Sequence, residues 1–245
     1  MPGVGGSTPW PYTVADQPGA GPWVQPSVSP VLSGWLQALF WSAAVVASVN
    51  ATLAVFARRA FDDAEREESF TSRQRWVDLD DGYWGVTALG GLVNTALLVV
   101  AIVWMFKAHR ATSALSRHAR TWSSGWTIGA WFIPLGNLVI PKLVLAEIER
   151  IATAPRSHGA AVGRGRATVI GWLWWAMFVV GWVFTTAATL LGAAERPFES
   201  AGEMRAGYVC GATGFGAWAL AGALGALHVR AIGRRLSPAG LAQEP

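Results

Sequence analysis

Residues 122–151, WSSGWTIGAWFIPLGNLVIPKLVLAEIERI, decide whether this chain forms four or five apolar spans. Pro134, Gly136, Asn137 and Pro141 interrupt what would otherwise be one long apolar helix. A proline inside a helix removes a hydrogen bond and clashes with the preceding turn, so we do not expect a straight span here. We predict two shorter pieces instead. Residues 126–133 would enter a membrane, and residues 138–151 would form an amphipathic helix at the membrane interface, with Asn137 as its N-cap.

The composition on either side of this stretch is that of a membrane protein. The 245 residues are 52% hydrophobic and only 14% charged, whereas soluble domains carry about 25% charged residues. Fifteen residues are tryptophan, which accumulates where one end of the ring is dry and the other is wet, as at a bilayer surface. The single cysteine, Cys210, excludes an internal disulfide and a multi-cysteine metal site.

Four further charge-free windows are long enough to cross a bilayer. They cover residues 17–57, 82–106, 167–194 and 206–229, and about 20 residues suffice to cross about 30 Å of hydrocarbon as a helix. The spacing predicts spans over about residues 33–57, 84–107, 167–192 and 205–231. A large soluble helical bundle is the alternative, but its helices would need polar faces that these windows lack.

The distribution of charge favours four spans over five. Cytoplasmic loops carry an excess of Lys and Arg, and both the segment before residue 122 and the segment after residue 151 are basic. If residues 122–151 do not cross, both segments lie inside with the two termini. The inside then holds 12 basic and four acidic residues, and the outside seven basic and 11 acidic.

We therefore predict an all-α, multi-pass helical protein of the cell membrane with both termini cytoplasmic. Its membrane domain covers residues 32–236, with four transmembrane helices and one broken segment over residues 122–151. Whether that segment is re-entrant, interfacial or a kinked span stays open.

The segments outside the spans have distinct compositions. Residues 1–31 are rich in Pro and Gly and predict a disordered cytoplasmic tail without a cleavable signal peptide. Residues 237–245 form a short C-terminal tail. The charged residues between 57 and 83 include oppositely charged pairs four apart, such as Arg58 and Asp62, and predict a helical extension beyond the membrane.

The broken segment also carries a family resemblance. The run of residues 104–110, WMFKAHR, is followed by Gly125-Trp126, by residues 131–134, WFIP, and then by Asn137, Pro141 and Glu147. This order resembles the bacterial membrane proteins of the domain-of-unknown-function 4328 family, over about residues 80–230. Ser124 stands where that pattern has a proline. The resemblance implies a helical membrane domain with a variable Pro/Gly-rich tail and implies no activity.

Three groups of residues are candidate sites. The candidate functional segment comprises Trp131, Pro134, Asn137, Pro141 and Glu147. The candidate contacts for anionic lipid headgroups are Lys107, Arg110, Arg117 and Arg120, although the ordinary positive-inside signal also explains them. The candidate helix-packing residues are Asn50 and Asn94, which we predict to hydrogen-bond to each other, and the small residues Gly207, Gly211, Ala221 and Gly225 of the last span.

No catalytic set is recognisable in the spans, and we expect no enzyme activity, no cofactor and no metal. The four histidines, His109, His118, His158 and His228, form no i, i+4 pair, and we expect them to be solvated or to contact headgroups. The lipid bilayer is the expected partner, together with a membrane protein partner or a homo-oligomer; nucleic acid is not, because the charges lie close to the membrane. We predict a non-enzymatic scaffold or accessory subunit. The alternative is an oligomeric channel or small-solute transporter in which residues 126–142 line a cavity.

Overall fold

The computed structural model of the chain describes residues 26–115, 120–134, 136–154, 167–192 and 201–239. These residues form six α-helices: α1 (Pro30–Glu67), α2 (Phe70–Leu115), α3 (Trp126–Gly129), α4 (Ile140–Thr153), α5 (Val169–Gly192) and α6 (Ala201–Arg235). Two short 3-10 turns, Ala130–Phe132 and Gly136–Leu138, lie between α3 and α4. Helices α1, α2, α5 and α6 are long and apolar enough to cross a membrane, which confirms the predicted fold class.

Three of the four long helices exceed the full thickness of a bilayer, which is about 40–45 Å with its headgroup regions. Helices α1, α2 and α6 have 38, 46 and 35 residues, so at 1.5 Å per residue they are about 57, 69 and 52 Å long. The hydrocarbon core is only about 30 Å thick. The charged residues between 57 and 83 therefore belong to helical extensions of α1 and α2, interrupted only by the turn between them.

The turn between α1 and α2 is tight and locally encoded. Glu68 adopts a left-handed conformation (φ 48°), and its N–H donates to the carbonyl of Ala64 as a C-cap. The hydroxyl of Ser69 accepts a hydrogen bond from the N–H of Ser72 at 3.1 Å and so caps the start of α2.

This turn also fixes which residues of α1 and α2 face each other. The side-chain amide of Asn50, which is fully buried, donates to the hydroxyl of Thr87 at 2.8 Å. The predicted hydrogen bond between Asn50 and Asn94 is therefore wrong. The predicted depths of the two asparagines in the membrane were counted from span ends near residues 57 and 84. The helices instead continue to the turn at Glu68, and antiparallel pairing around that turn places Asn50 opposite Thr87.

The four long helices form an open arc in the order α2, α1, α6, α5. Helix α1 packs against α2 and α6, and α6 packs against α1 and α5, whereas α2 and α5 are not packed against each other along their described lengths. Small residues allow the close contacts of α6: Gly207, Gly211, Ala221 and Gly225 are all buried. A Cβ at Gly211 would meet the hydroxyl of Tyr83, and one at Gly225 would meet the ring of Phe40. The predicted packing seam of α6 is thus used within the chain.

Both ends of the described chain meet at the same end of the arc. The N–H of Val28 donates to the carbonyl of Leu236 at 2.9 Å, and Val28 is fully buried. The predicted N-terminal tail of residues 1–31 lies outside the described residues as far as residue 25, and its last residues belong to the fold. Residues 240–245 of the predicted C-terminal tail also lie outside the described residues.

Candidate functional site

Helix α4 buries most of its charged side chains within the protein. It lies across the end of the arc where α1 and α5 begin and where α2 and α6 end. Lys142, Glu147 and Glu149 are at most 1% exposed, and only Arg150 of its charged side chains is substantially exposed. The polar side chains of the predicted interfacial helix therefore find partners on the surrounding elements.

The two carboxylates of α4 point to opposite sides of the helix, because residues two apart on a helix lie on opposite faces. Glu147 accepts hydrogen bonds from the N–H of Thr121 at 2.8 Å and of Trp122 at 3.3 Å. Its Oε1 lies 3.5 Å from Nε2 of His109, a fully buried side chain of α2. Glu147 thereby joins α2 to the segment that precedes α3.

Glu149 joins α4 to α5 and α6. Its Oε1 lies 3.1 Å from Nζ of Lys142, two turns earlier on α4, and 3.1 Å from Nε2 of His228 on α6. Its Oε2 accepts a hydrogen bond from the N–H of Thr168 at 2.7 Å. A Cβ on Gly171 would collide with this carboxylate. Glycine at position 171 therefore provides the space for the Glu149 side chain. We call Lys142, Glu147, Glu149, His109 and His228 the α4 charge cluster.

The contacts of the cluster shift the pKa values of Lys142 and Glu149. Burial lowers the pKa of Lys142, and the nearby Glu149 carboxylate offsets that effect only in part. Burial by itself would raise the pKa of Glu149, but His228, Lys142 and the Thr168 N–H together lower it below its ordinary value. The folded state therefore favours an ionised Glu149.

This shift predicts a loss of stability in acid. Because the pKa of Glu149 is lower in the folded than in the unfolded state, its contribution is fully present above the unfolded value, near pH 4.3, and is lost as the pH falls through the folded value. We expect the melting temperature of the detergent-purified protein to fall below about pH 4. The Lys142→Met/Glu149→Gln variant should show a shallower fall, and an equally steep fall in that variant would contradict the assignment to Glu149.

Two histidines occupy places that contradict the sequence prediction. His109 is fully buried and His228 is 3% exposed, so neither is solvated; His118 and His158 lie outside the described residues. No group of three or more His, Cys, Asp or Glu that could hold a metal ion occurs in the described part of the chain. The two buried histidines instead face the carboxylates of α4 and link it to α2 and α6.

A second polar network lies at the opposite end of the arc. Arg205 of α6 contacts Asp62 at 2.6 Å and also Glu65. Tyr208 donates to Asp80 at 2.6 Å and accepts from the indole N–H of Trp76 at 2.9 Å. The predicted pairing of Arg58 with Asp62 is therefore replaced by a contact that ties α6 to α1.

A cavity of about 300 Å³ lies inside the arc. Helices α1 and α6 form its back, α2 and α5 form its sides, and the broken segment with α4 closes the end next to the charge cluster. Its front lies between α2 and α5, the two helices that are not packed against each other. Its polar lining groups are Asn94, Asn137 and His228, and its indole groups are Trp104, Trp131, Trp174, Trp182 and Trp218.

The candidate functional segment divides between the cavity and the cluster. Trp131 and Asn137 line the cavity, Pro141 is buried in the first turn of α4, and Glu147 belongs to the charge cluster, whereas Pro134 is exposed. Asn137 does not cap α4, because the helix begins after Val139 without a side-chain cap. Of the candidate headgroup contacts, Lys107, Arg110 and Arg120 are exposed, and Arg117 lies outside the described residues.

Four residues of the charge cluster were not predicted as site residues: Lys142, Glu149, His109 and His228. One signal was available: Lys142 and Glu149 are seven residues apart and so share one face of an otherwise apolar helix. Nothing in the sequence indicated that His109 and His228, on helices far apart in the chain, meet that helix.

The family model described as Domain of unknown function (DUF4328) matches residues 67–234, more than half of the chain. No curated protein and no solved structure matches the chain.

Proposed function

The chain belongs to the DUF4328 family, whose domain is of unknown function, and we propose that it binds a small, mainly apolar solute of the bilayer in its central cavity. The step is binding, as in a carrier or channel, and involves no chemical reaction. The observation that carries the proposal is the cavity itself. It lies inside the arc, its lining is mainly apolar, and residues of the broken segment form part of its wall.

Three features of the cavity support this function. Its volume is at the lower end of the range of about 300–1,000 Å³ that small-molecule sites occupy. Its few polar groups, such as Asn94 and Asn137, lie among apolar and aromatic walls, as is usual in such sites. Irregular backbone is tolerated at membrane depth only where it is buried in protein or lines a cavity, and Trp131, Asn137 and Leu138 of the broken segment line this one.

We propose a topology in which the α4 end of the arc is cytoplasmic, together with both termini. The basic residues Lys107, Arg110 and Arg120 are exposed near that end, in accord with the positive-inside rule. A solute dissolved in the bilayer would then enter between α2 and α5, and the charge cluster would seal the cavity on the cytoplasmic side.

A photolabelling experiment tests the binding step. In liposomes, the small apolar probe trifluoromethyl-phenyl-diazirine should label the Trp131 and Trp174 peptides, and excess unlabelled phenyl analogue should compete with that labelling. Ala101→Phe fills space in the cavity lining and should weaken the saturable labelling by about tenfold or more, since added bulk excludes the ligand.

Val99→Phe is the matched control, because Val99 is on the same helix, is 58% exposed and does not line the cavity. It should label as the unchanged protein does. Labelling that never saturates, or that both variants reduce equally, would contradict a binding site in the cavity.

A scaffold or accessory subunit is the second candidate. The most apolar part of α2 has no buried residue, and Leu92 is 72% exposed, so this helix has a free surface for lipid or for the helix of a membrane protein partner. Purification in mild detergent separates the two functions. A stoichiometric membrane protein partner, combined with labelling that does not saturate, would favour the scaffold.

A further inference from the structure

One of the five indoles in the cavity wall, that of Trp131, has a buried N–H without an acceptor among the described residues. Trp104 donates to the hydroxyl of Ser33 at 3.0 Å, and Trp218 donates to the carbonyl of Phe178 at 3.3 Å. The Nε1 of Trp131 is buried without an acceptor. Trp174 forms only ring contacts with the described residues, to Phe40, Trp175 and His228. Buried polar groups are normally paired, so the Trp131 donor marks a place where a ligand would supply an acceptor.

The rings of Trp131 and Trp174 both pack against Trp175. The ring centroid of Trp131 is 6.3 Å from that of Trp175, and the ring centroid of Trp174 is 5.5 Å from it. Trp175 itself donates to the carbonyl of Leu138 at 2.9 Å, which holds this aromatic group against the broken segment. This hydrogen bond therefore fixes the position of the ring against which Trp131 packs.

The charges around the cavity indicate an uncharged ligand. None of the described residues that line it is an Asp, Glu, Lys or Arg, so neither an anion nor a cation would find a partner there, and an unpaired charge is strongly disfavoured in apolar surroundings. The titratable lining group, His228, already faces Glu149 at 3.1 Å. A carboxylate ligand next to it would be repelled by Glu149.

The shape of the wall indicates a flat ring system. Aromatic side chains line the cavity from α1, α2, the broken segment, α5 and α6, and aromatic rings pack well in edge-to-face and offset arrangements against one another. The volume of about 300 Å³ suits a molecule of two or three fused rings.

We propose that the cavity takes a flat, uncharged aromatic molecule with a carbonyl oxygen that accepts a hydrogen bond from Trp131. This ligand class rests on the proposed binding function and specifies it. The oxygen supplies the acceptor that the wall lacks, and the rings fill the apolar space between α2 and α5.

Competition between two probes of the same shape tests this ligand class. Fluorenone and fluorene have the same three-ring frame, and only fluorenone has a carbonyl oxygen. Against the saturable diazirine labelling, fluorenone should compete at concentrations about five- to tenfold lower than fluorene, as one net hydrogen bond allows. Trp131→Phe removes the N–H and keeps an aromatic ring, and it should reduce this preference to less than about twofold.

Trp41→Phe is the matched control, since Trp41 is 49% exposed on α1 and does not line the cavity; the preference for fluorenone should persist in it. Equal competition by fluorenone and fluorene, with labelling still saturable, would overturn the ligand class and leave the binding function standing. An unchanged preference in Trp131→Phe would overturn the role of that indole, and labelling that does not saturate would overturn both proposals.

Discussion

Replacing Glu149 with Gln is expected to destabilise the folded protein by about 3–5 kcal/mol, the cost of breaking a buried ion pair from one side. Gln has nearly the same size and can still accept the hydrogen bond from the Thr168 N–H, so the change removes mainly the charge. Lys142, 1% exposed, would then carry an unpaired buried charge, and His228 would lose its facing carboxylate. The melting temperature of the detergent-purified protein should fall by about 10 °C.

The Lys142→Met/Glu149→Gln variant separates the loss of the pair from general disruption. Removing both charges leaves no unpaired ion, so the double variant should be more stable than Glu149→Gln alone. Glu67→Gln, an exposed position at the end of α1, should change stability by less than about 0.5 kcal/mol. Two outcomes would contradict the view that the cluster holds the α4 end of the arc together. One is a melting temperature of Glu149→Gln within about 2 °C of that of the unchanged protein. The other is a double variant that is less stable than Glu149→Gln.

The long helices could be predicted from the sequence because the signal is local. A charge-free apolar window of about 20 residues has few folded alternatives to a spanning helix, and the prolines of the broken segment prevent one helix there for equally local reasons. The predicted ends of the helices were less accurate. Charged residues such as Arg58 and Asp78 suggested where the membrane ends, but not where the helices end, which is at Glu67 and Phe70.

The site could not be predicted to the same degree because its contacts are long-range. Glu149 meets His228, 79 positions later in the chain, and Thr168, at a sequence separation of 19. Polar residues on a short helix are compatible with solvent-facing side chains and with buried ion pairs equally well, and only the position of α2 and α6 distinguishes the two. The same limit explains Asn50, whose partner depends on the register that the turn at Glu68 imposes.

Gly222→Ala should destabilise the protein by about 2–3 kcal/mol, because it overpacks the contact between α1 and α6. A Cβ at Gly222 would lie 2.7 Å from the carbonyl oxygen of Phe40 and 3.0 Å from the N of Ala44. These are backbone atoms of a regular helix, so no side-chain rotation relieves the clash. The two central helices of the arc, α1 and α6, would have to separate, and this would open the back wall of the cavity. The melting temperature should fall by about 5–10 °C.

Gly216→Ala is the matched control on the same helix, and it should act in the opposite direction. A Cβ at Gly216 would meet nothing within 4 Å, so the substitution gains only the helix propensity of Ala over Gly, about 1 kcal/mol. Its melting temperature should therefore rise by about 2–4 °C. Opposite signs for two Gly→Ala changes six positions apart cannot come from helix propensity alone. If both variants became more stable, α1 and α6 would not pack as closely as described, and the arc that encloses the cavity would have to be revised.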